Sequence, residues 1–147
     1  MKRAASLLFL SLFGLSHAES SALEALSLRH GRTGKVGVQE TFAVATNSAE
    51  YAALWEKPFY PEAVPDRPPI NFSTNVVVGM VLATASDGCT SVTFAGAQVV
   101  EQKLVVQYKL FKHRANEVCT TSFSTAFHFV SIPRVSLPIV FQEQAHE

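Results

Sequence analysis

The hydrophobic pattern of the chain centres on an unbroken apolar run from Val76 to Ala83. Its members are mostly β-branched or bulky, and a proline-rich approach precedes it. Because a membrane span needs about 20 apolar residues, this run is too short to cross a bilayer. A short β-branched run between turn formers predicts a strand that is buried on both faces.

Most segments around this run alternate apolar and polar side chains, which is typical of strands with one buried face. We expect such strands at 36–46, 90–100, 104–110, 127–130 and 139–141. Gly96 shifts the apolar parity of its strand and predicts a β-bulge, and residues 101–103 predict a tight turn. Gly31 and Gly34 predict another turn, and residues 25–29 before them favour an edge strand, with a short helix as the alternative.

One segment has helical signals instead. Asn47 can cap the free amides of a helix, and Glu50 stands where a capping box needs its carboxylate. The apolar face that follows consists of Tyr51, Leu54 and Trp55, and Pro58 ends the pattern. We interpret Trp55 as a core residue rather than a ligand-stacking aromatic. The fold class is therefore α+β and mostly β: a small antiparallel sheet or sandwich of about six strands with one helix packed against it.

The first 18 residues have the pattern of a secretory signal. Lys2 and Arg3 precede an apolar core from Ala4 to Leu15, and Ala18 ends a small-residue site that a signal peptidase would read. We expect cleavage there, which leaves residues 19–147 as a single globular domain. The apolar core is too short for the alternative, an N-terminal membrane anchor. The protein is thus expected to be exported, periplasmic or secreted, with no stable membrane anchor.

Charge argues against nucleic acid as a partner. The chain carries twelve basic and twelve acidic residues, so losing Lys2 and Arg3 leaves a net charge of −2. Nucleic-acid binding depends on a basic surface that neutralises phosphates. We therefore expect no nucleic-acid partner.

Cys89 and Cys119 are the two cysteines of the chain. In an oxidising compartment they predict a single disulfide. Closing a loop of about 30 residues would stabilise the fold by roughly 3–4 kcal/mol in the chain-entropy model. The alternative is a two-cysteine metal site, but no histidine or carboxylate stands at a recognisable metal-ligand spacing nearby.

Local catalytic motifs are missing from the sequence: it has no G-x-S-x-G, no H-E-x-x-H, no glycine-rich phosphate loop and no C-x-x-C. We expect no cofactor and no enzymatic activity. A site assembled from His128, Asp87 and a serine stays open as an alternative, because such triads form in space. Alternation places His128 opposite Phe127 and Phe129, facing solvent or a second polar layer, which favours a structural or surface role.

The predicted binding residues form one loop after the central strand: Thr84, Ala85, Ser86, Asp87 and Gly88. Rigid scaffolds present binding residues on such loops. The alternative is a polar connection that merely precedes a disulfide. A second, basic patch consists of Lys109, Lys112, His113 and Arg114. It could meet an acidic partner, although a solvated strand end is the more ordinary interpretation.

The order of several sequence patterns is similar to a known family. Leu54-Trp55 on the helix is followed by Pro69-Ile70-Asn71-Phe72-Ser73, the apolar run, the loop that ends in Gly88 and a strand hairpin. The series closes with F-H-x-V-x-x-P-R at residues 127–134, its most specific part, and with Leu137-Pro138-Ile139-Val140-Phe141. Over about residues 31–142 the chain resembles the PrcB C-terminal-domain family of exported bacterial domains. Asn71 departs from the aspartate of typical members, and residues 85–89 replace a Pro-Thr-Gly-Gly type of loop.

This resemblance implies an accessory role with no catalytic residues, namely stabilising or docking onto a protease at the cell surface. We expect an exported protein-binding module whose partner is another exported protein, such as a protease or an envelope complex. Two alternatives stay open. One is a protease inhibitor that presents loop 84–89, which faintly resembles the reactive loops of immunoglobulin-like inhibitors. The other is a small hydrolase with a site near His128.

Overall fold

Residues 20–145 of the chain are described by a computed structural model, in which eight strands form two four-stranded sheets. The α-helix found in this part of the chain packs on one of the sheets. The prediction of a mostly β domain with one packed helix is confirmed, with eight strands rather than about six. The predicted secretory signal, residues 1–18, lies outside the described residues.

In both sheets, strands from distant parts of the chain lie side by side. The strands are β1 (Ser21–Ala22), β2 (Leu26–Thr33), β3 (Thr41–Ala45), β4 (Asn75–Val81), β5 (Ser91–Val100), β6 (Lys103–Phe111), β7 (Thr125–Pro133) and β8 (Ile139–Glu143). The first sheet has the order β1-β5-β6-β8 and the second β2-β7-β4-β3. All neighbours are antiparallel except β6 and β8, whose parallel pairing needs a long crossover through the other sheet.

The two central strands of the second sheet, β4 and β7, are buried on both faces, which explains the unbroken apolar run in β4. In β4, alternate side chains pack between the sheets or beneath the helix. β7 alternates in the same way, and β4 pairs with β7 on one side and with β3 on the other. The inter-sheet layer contains Val76, Val78, Met80, Val130 and Ile132, and the helix layer contains Val77, Val81, Phe127 and Phe129. β4 is thus the doubly buried strand that the sequence predicts.

Helix α1 (Ser48–Glu56) has the predicted start and the predicted buried face. The side chain of Asn47 accepts a hydrogen bond from the Glu50 amide at 2.9 Å, and the Glu50 carboxylate accepts one from the Thr46 amide at 2.7 Å. Trp55 is a core residue, as predicted, and its indole stacks on Phe129 with ring centroids 4.9 Å apart.

Between residues 20 and 145, no helix has the length and apolarity that a membrane crossing requires.

Two predictions near the N-terminal side are wrong. Residues 36–40 are not part of a strand, because the backbone of Val38 bonds to Thr84 instead of to a neighbouring strand. The turn predicted at Gly31 does not form there, since β2 continues through this residue to Thr33. The edge strand predicted at 25–29 is confirmed over the helical alternative, and it is longer than expected.

The hairpin of β5 and β6 forms as predicted. Its register shifts between Phe94 and Gly96, which is the expected bulge. Glu101 and Gln102 form the turn with φ of 48° and 61°, the left-handed conformation that two-residue hairpin loops use. The open end of this hairpin, opposite the turn, is part of the candidate site.

Gly79 of β4 allows α1 to approach the sheet closely, because a Cβ there would lie 2.5 Å from a terminal carbon of Leu54. We expect Gly79→Ala to lower the free energy of unfolding by about 1–3 kcal/mol through overpacking. The loss should be smaller in a Leu54→Ala background, since the colliding atoms are gone. Urea denaturation of the four proteins measures this coupling.

Gly34→Ala is the matched control, because apart from its two chain neighbours no residue has a heavy atom within 4 Å of the position where its Cβ would be. We expect it to cause no loss of stability. Strictly additive losses in the Gly79→Ala, Leu54→Ala double variant would contradict the close approach.

Candidate functional site

The predicted binding loop, residues 84–88, is bonded to the rest of the fold over most of its length. Ala85 and Ser124 exchange two backbone hydrogen bonds of 2.8 and 2.9 Å, and the Ser124 hydroxyl donates to the carbonyl of Asp87 at 2.6 Å. Of the five predicted residues, Ser86 alone is exposed and the others are half-buried. The loop therefore presents one side chain to solvent rather than a projecting tip.

Thr84 and Asp87 make structural hydrogen bonds. The Thr84 hydroxyl accepts from the Val38 amide at 3.0 Å. The Asp87 carboxylate accepts from the amides of Thr90 at 2.8 Å and Cys89 at 2.9 Å, and these bonds, the Thr90 amide foremost, hold the pKa of Asp87 below its usual value. Asp87 thus directs the chain into β5.

Cys89 and Cys119 form the predicted disulfide, with their Cα atoms 5.6 Å apart. The bond joins the start of β5 to the segment between β6 and β7, and beside it the Gly88 amide donates to the carbonyl of Thr120 at 3.0 Å. A Glu117 carboxylate oxygen and the two sulfurs lie within 4.8 Å of one another. Sulfurs bonded to each other are not thiolate ligands, so this carboxylate has metal-binding partners only in a reduced protein.

An open groove with a volume of about 1000 Å³ lies beside the disulfide. The ends of four strands meet there: Arg32 from β2, Ser91 from β5, Phe111 from β6 and Glu143 from β8. Further lining comes from Gly88, Cys89, Leu110, Lys112, His113, Arg114, Glu117 and Val118. The groove thus combines the predicted disulfide, one end of the predicted loop and most of the predicted basic patch. Lys109 of that patch does not line it.

The wall formed by residues 112–118 has few connections to the rest of the fold. The hydrogen bonds found for it within the described chain are internal: the Glu117 amide donates to the Arg114 carbonyl, the Arg114 amide donates to the Glu117 carboxylate, and His113 bonds to the Glu117 carbonyl. The wall is attached at Phe111, the end of β6, and at Cys119. The disulfide therefore determines where this wall lies.

Large apolar side chains are exposed at this end of the molecule. Phe111 is 46% exposed, Val118 is fully exposed and Phe123 is 61% exposed. Phe111 and Val118 line the groove, and Phe123 lies four residues beyond Cys119. Apolar side chains that gather on a surface and are bordered by polar residues are typical of interaction sites.

Among residues 20–145, the cations that line the groove form no ion pair with a carboxylate. Within residues 20–145 the structure contains one ion pair, between Arg67 and Glu56 and remote from the groove lining. The guanidinium of Arg32 instead donates to the carbonyls of Thr90 at 2.9 Å and Cys89 at 3.2 Å, which leaves its charge unneutralised. Lys112 and Arg114 are exposed on the facing wall. The groove lining thus carries three cationic side chains, together with the acidic side chains of Glu117 and Glu143.

His128 lies inside the sandwich, 7% exposed, where it connects the two sheets. Its Nδ1 accepts a hydrogen bond from the Phe94 amide of β5 at 2.9 Å, and its Nε2 lies 2.9 Å from the Ser27 hydroxyl of β2. In the neutral ring, an accepting Nδ1 places the proton on Nε2, which then donates to Ser27. His128 has no lone pair left to act as a base toward Ser27, and neither of its ring nitrogens bonds to Asp87.

Burial, and to a lesser degree the neighbouring His30, lower the pKa of His128 to about 4. The rings of His30 and His128 lie 5.2 Å apart on paired strands. Protonation would also place a hydrogen on Nδ1 against the Phe94 amide. His128 is therefore a neutral, structural histidine at physiological pH. Of the two predicted environments, solvent or a second polar layer, solvent is wrong, because the ring is buried between the sheets.

Arg32 and the exposed apolar residues of the groove were not among the residues predicted from the sequence. Arg32 is 57 residues from Cys89 along the chain, so its position follows only from the pairing of β2 in the second sheet. The available signal was local: Val118 and Phe123 are apolar residues in an otherwise polar segment. Such residues in a short segment with a cysteine favour an exposed contact surface.

Comparison with known proteins adds no assignment for this site: no family model, no curated protein and no solved structure matches the chain.

The buried His128 predicts a specific dependence of stability on pH. Because its folded-state pKa of about 4 is below the ordinary value of 6.5, the unfolded chain binds a proton first as the pH falls. The free energy of unfolding should therefore fall by on the order of 2–3 kcal/mol from this residue alone between about pH 6.5 and pH 4. Urea denaturation at several pH values measures the slope.

His128→Gln should abolish this part of the pH dependence, because glutamine does not titrate and its carbonyl can still accept from the Phe94 amide. His30→Gln is the control and should keep most of the dependence, since His30 is exposed. Equal slopes for the protein and His128→Gln would show that His128 titrates normally and is not part of a closed inter-sheet contact.

Proposed function

We propose that this chain is an exported protein-binding module and that the groove beside the Cys89–Cys119 disulfide is its docking surface. One observation carries the proposal: exposed apolar side chains, and cations that form no ion pair within residues 20–145, gather at this one end of the sandwich. Binding surfaces combine apolar contacts with polar groups at the rim. A rigid two-sheet scaffold with a disulfide at the site lowers the entropic cost of binding.

The proposed export depends on the pattern of residues 1–18 and agrees with the disulfide, because disulfides persist in oxidising compartments. The proposed partner is another exported protein. Resemblance to the PrcB C-terminal-domain family, in residues 54–55, 69–73 and 127–134, favours membership of that family and a role in stabilising or docking onto a protease or an envelope complex.

The two alternative functions have less support. An inhibitor would need a projecting loop at 84–89, but these residues are bonded to Ser124 and Thr120, and only Ser86 is exposed. A hydrolase near His128 would need a histidine that accepts a proton, but its Nδ1 already accepts from Phe94. We therefore propose a module without enzymatic activity.

The test is a double variant of the groove, Phe111→Ser with Val118→Asp. We expect it to fold, and to retain a partner from the exported fraction of the source cells at least tenfold less well than the unchanged protein. A tenfold loss corresponds to about 1.4 kcal/mol, which is less than the cost of truncating one hot-spot side chain at an interface centre. The partner captured by the unchanged protein is purified, and its Kd for each variant is measured by titration.

Leu26→Asp is the matched control. Leu26 is 67% exposed and lies six positions before Arg32 on β2, about 20 Å from the groove along the strand. It should leave the Kd unchanged. Unaltered binding by the double variant, or an equal loss in Leu26→Asp, would contradict a docking surface at the groove.

A further inference from the structure

We infer that the groove beside the disulfide takes an extended, acidic peptide segment of the partner, in which carboxylates alternate with bulky apolar side chains. This inference rests on the proposed function and names the chemistry of its ligand. The geometry points to it because unpaired cations and exposed apolar side chains line the same groove.

The size and openness of the groove favour a chain segment over a small molecule. Its volume of about 1000 Å³ equals the upper end of small-ligand pockets, which bury most of their ligand. Here most of the lining residues are exposed, so a small molecule would keep much of its surface in water. A peptide can instead extend along the groove from the end of β2 past the end of β6.

The cationic side chains of the groove lining favour an acidic peptide segment. Lys112 and Arg114 are exposed on one wall, and neither they nor the Arg32 guanidinium beside the disulfide pairs with a carboxylate in the described part of the chain. Guanidinium groups bind carboxylates through paired hydrogen bonds, and salt screens such exposed contacts. A basic segment would instead bring like charges together at three positions.

The apolar side chains that line the groove argue against a ligand that binds through charged groups alone. Phe111 and Val118 present apolar surface within the groove, and Leu110 is half-buried in its floor. Glu117 and Glu143 also line it, and they would repel closely spaced phosphates more strongly than carboxylates that are separated by apolar side chains. A nucleic acid or an anionic lipid surface thus matches the lining less well than a peptide with alternating side chains.

The experiment is selection from a phage-displayed library of random decapeptides on the immobilised, oxidised protein. We expect the selected peptides to be enriched in Asp and Glu interleaved with Phe, Leu or Ile. A synthetic, labelled copy of the most enriched peptide should bind the Lys112→Glu, Arg114→Glu variant at least tenfold more weakly than it binds the unchanged protein. Its affinity for the unchanged protein should also fall as the salt concentration rises from about 50 to about 500 mM, because salt screens exposed charges.

The same variant, selected afresh, should enrich basic peptides, because the wall charge is reversed. Lys103→Glu is the matched control: it removes an exposed lysine at the opposite end of β6, eight positions from Phe111, and should leave the affinity unchanged. Enrichment without acidic residues, no enrichment at all, or binding of anionic vesicles or duplex DNA in place of peptides would overturn the inference.

Failure of this inference is distinguishable from failure of the proposed function. If the captured partner depends on Phe111 and Val118 but not on Lys112 and Arg114, the docking surface stands and its acidic specificity is wrong. If the partner depends on neither pair, both are wrong.

Discussion

The covalent bond between Cys89 and Cys119 is the constraint on which the candidate site depends. Residues 112–118 form one wall of the groove, yet their hydrogen bonds within the described chain are to one another. Without the disulfide this wall would be held by the end of β6 and by backbone bonds at Thr120 and Ser124 alone. Exposed side chains on a wall of fixed position can bind without first being ordered, which lowers the cost of association.

The two-sheet core supplies the fixed side of this arrangement. β4 and β7 are buried between the first sheet and α1. This packing fixes the position of the start of β7, which follows Cys119 by a few residues in the sequence. His128 adds a polar connection through the core, since it bonds to β5 with one ring nitrogen and to β2 with the other. These two strands carry Ser91 and Arg32 to the groove, so the histidine serves the site by positioning its walls rather than by chemistry.

The parts of the fold that were predictable are those whose causes lie within a few residues. The double burial of β4, the capping of α1 by Asn47 and the bulge at Gly96 each follow from local pattern. The parallel pairing of β8 with β6 was not predictable, because it depends on a crossover through the other sheet. In the site, the disulfide and the basic residues were predicted, but Arg32 was not, because β2 brings it there from a distant part of the chain. Residues 36–40 show the same limit: their alternation is strand-like, but Val38 pairs with Thr84.

The most direct test of this account is hydrogen exchange on the oxidised protein and on a Cys89→Ser, Cys119→Ser variant. The account predicts that the variant melts at a lower temperature, and that the Gly88 amide, bonded to Thr120 beside the disulfide, loses far more protection than the amide of Val78 in β4. An unchanged melting temperature together with unchanged protection of the Gly88 amide would contradict it.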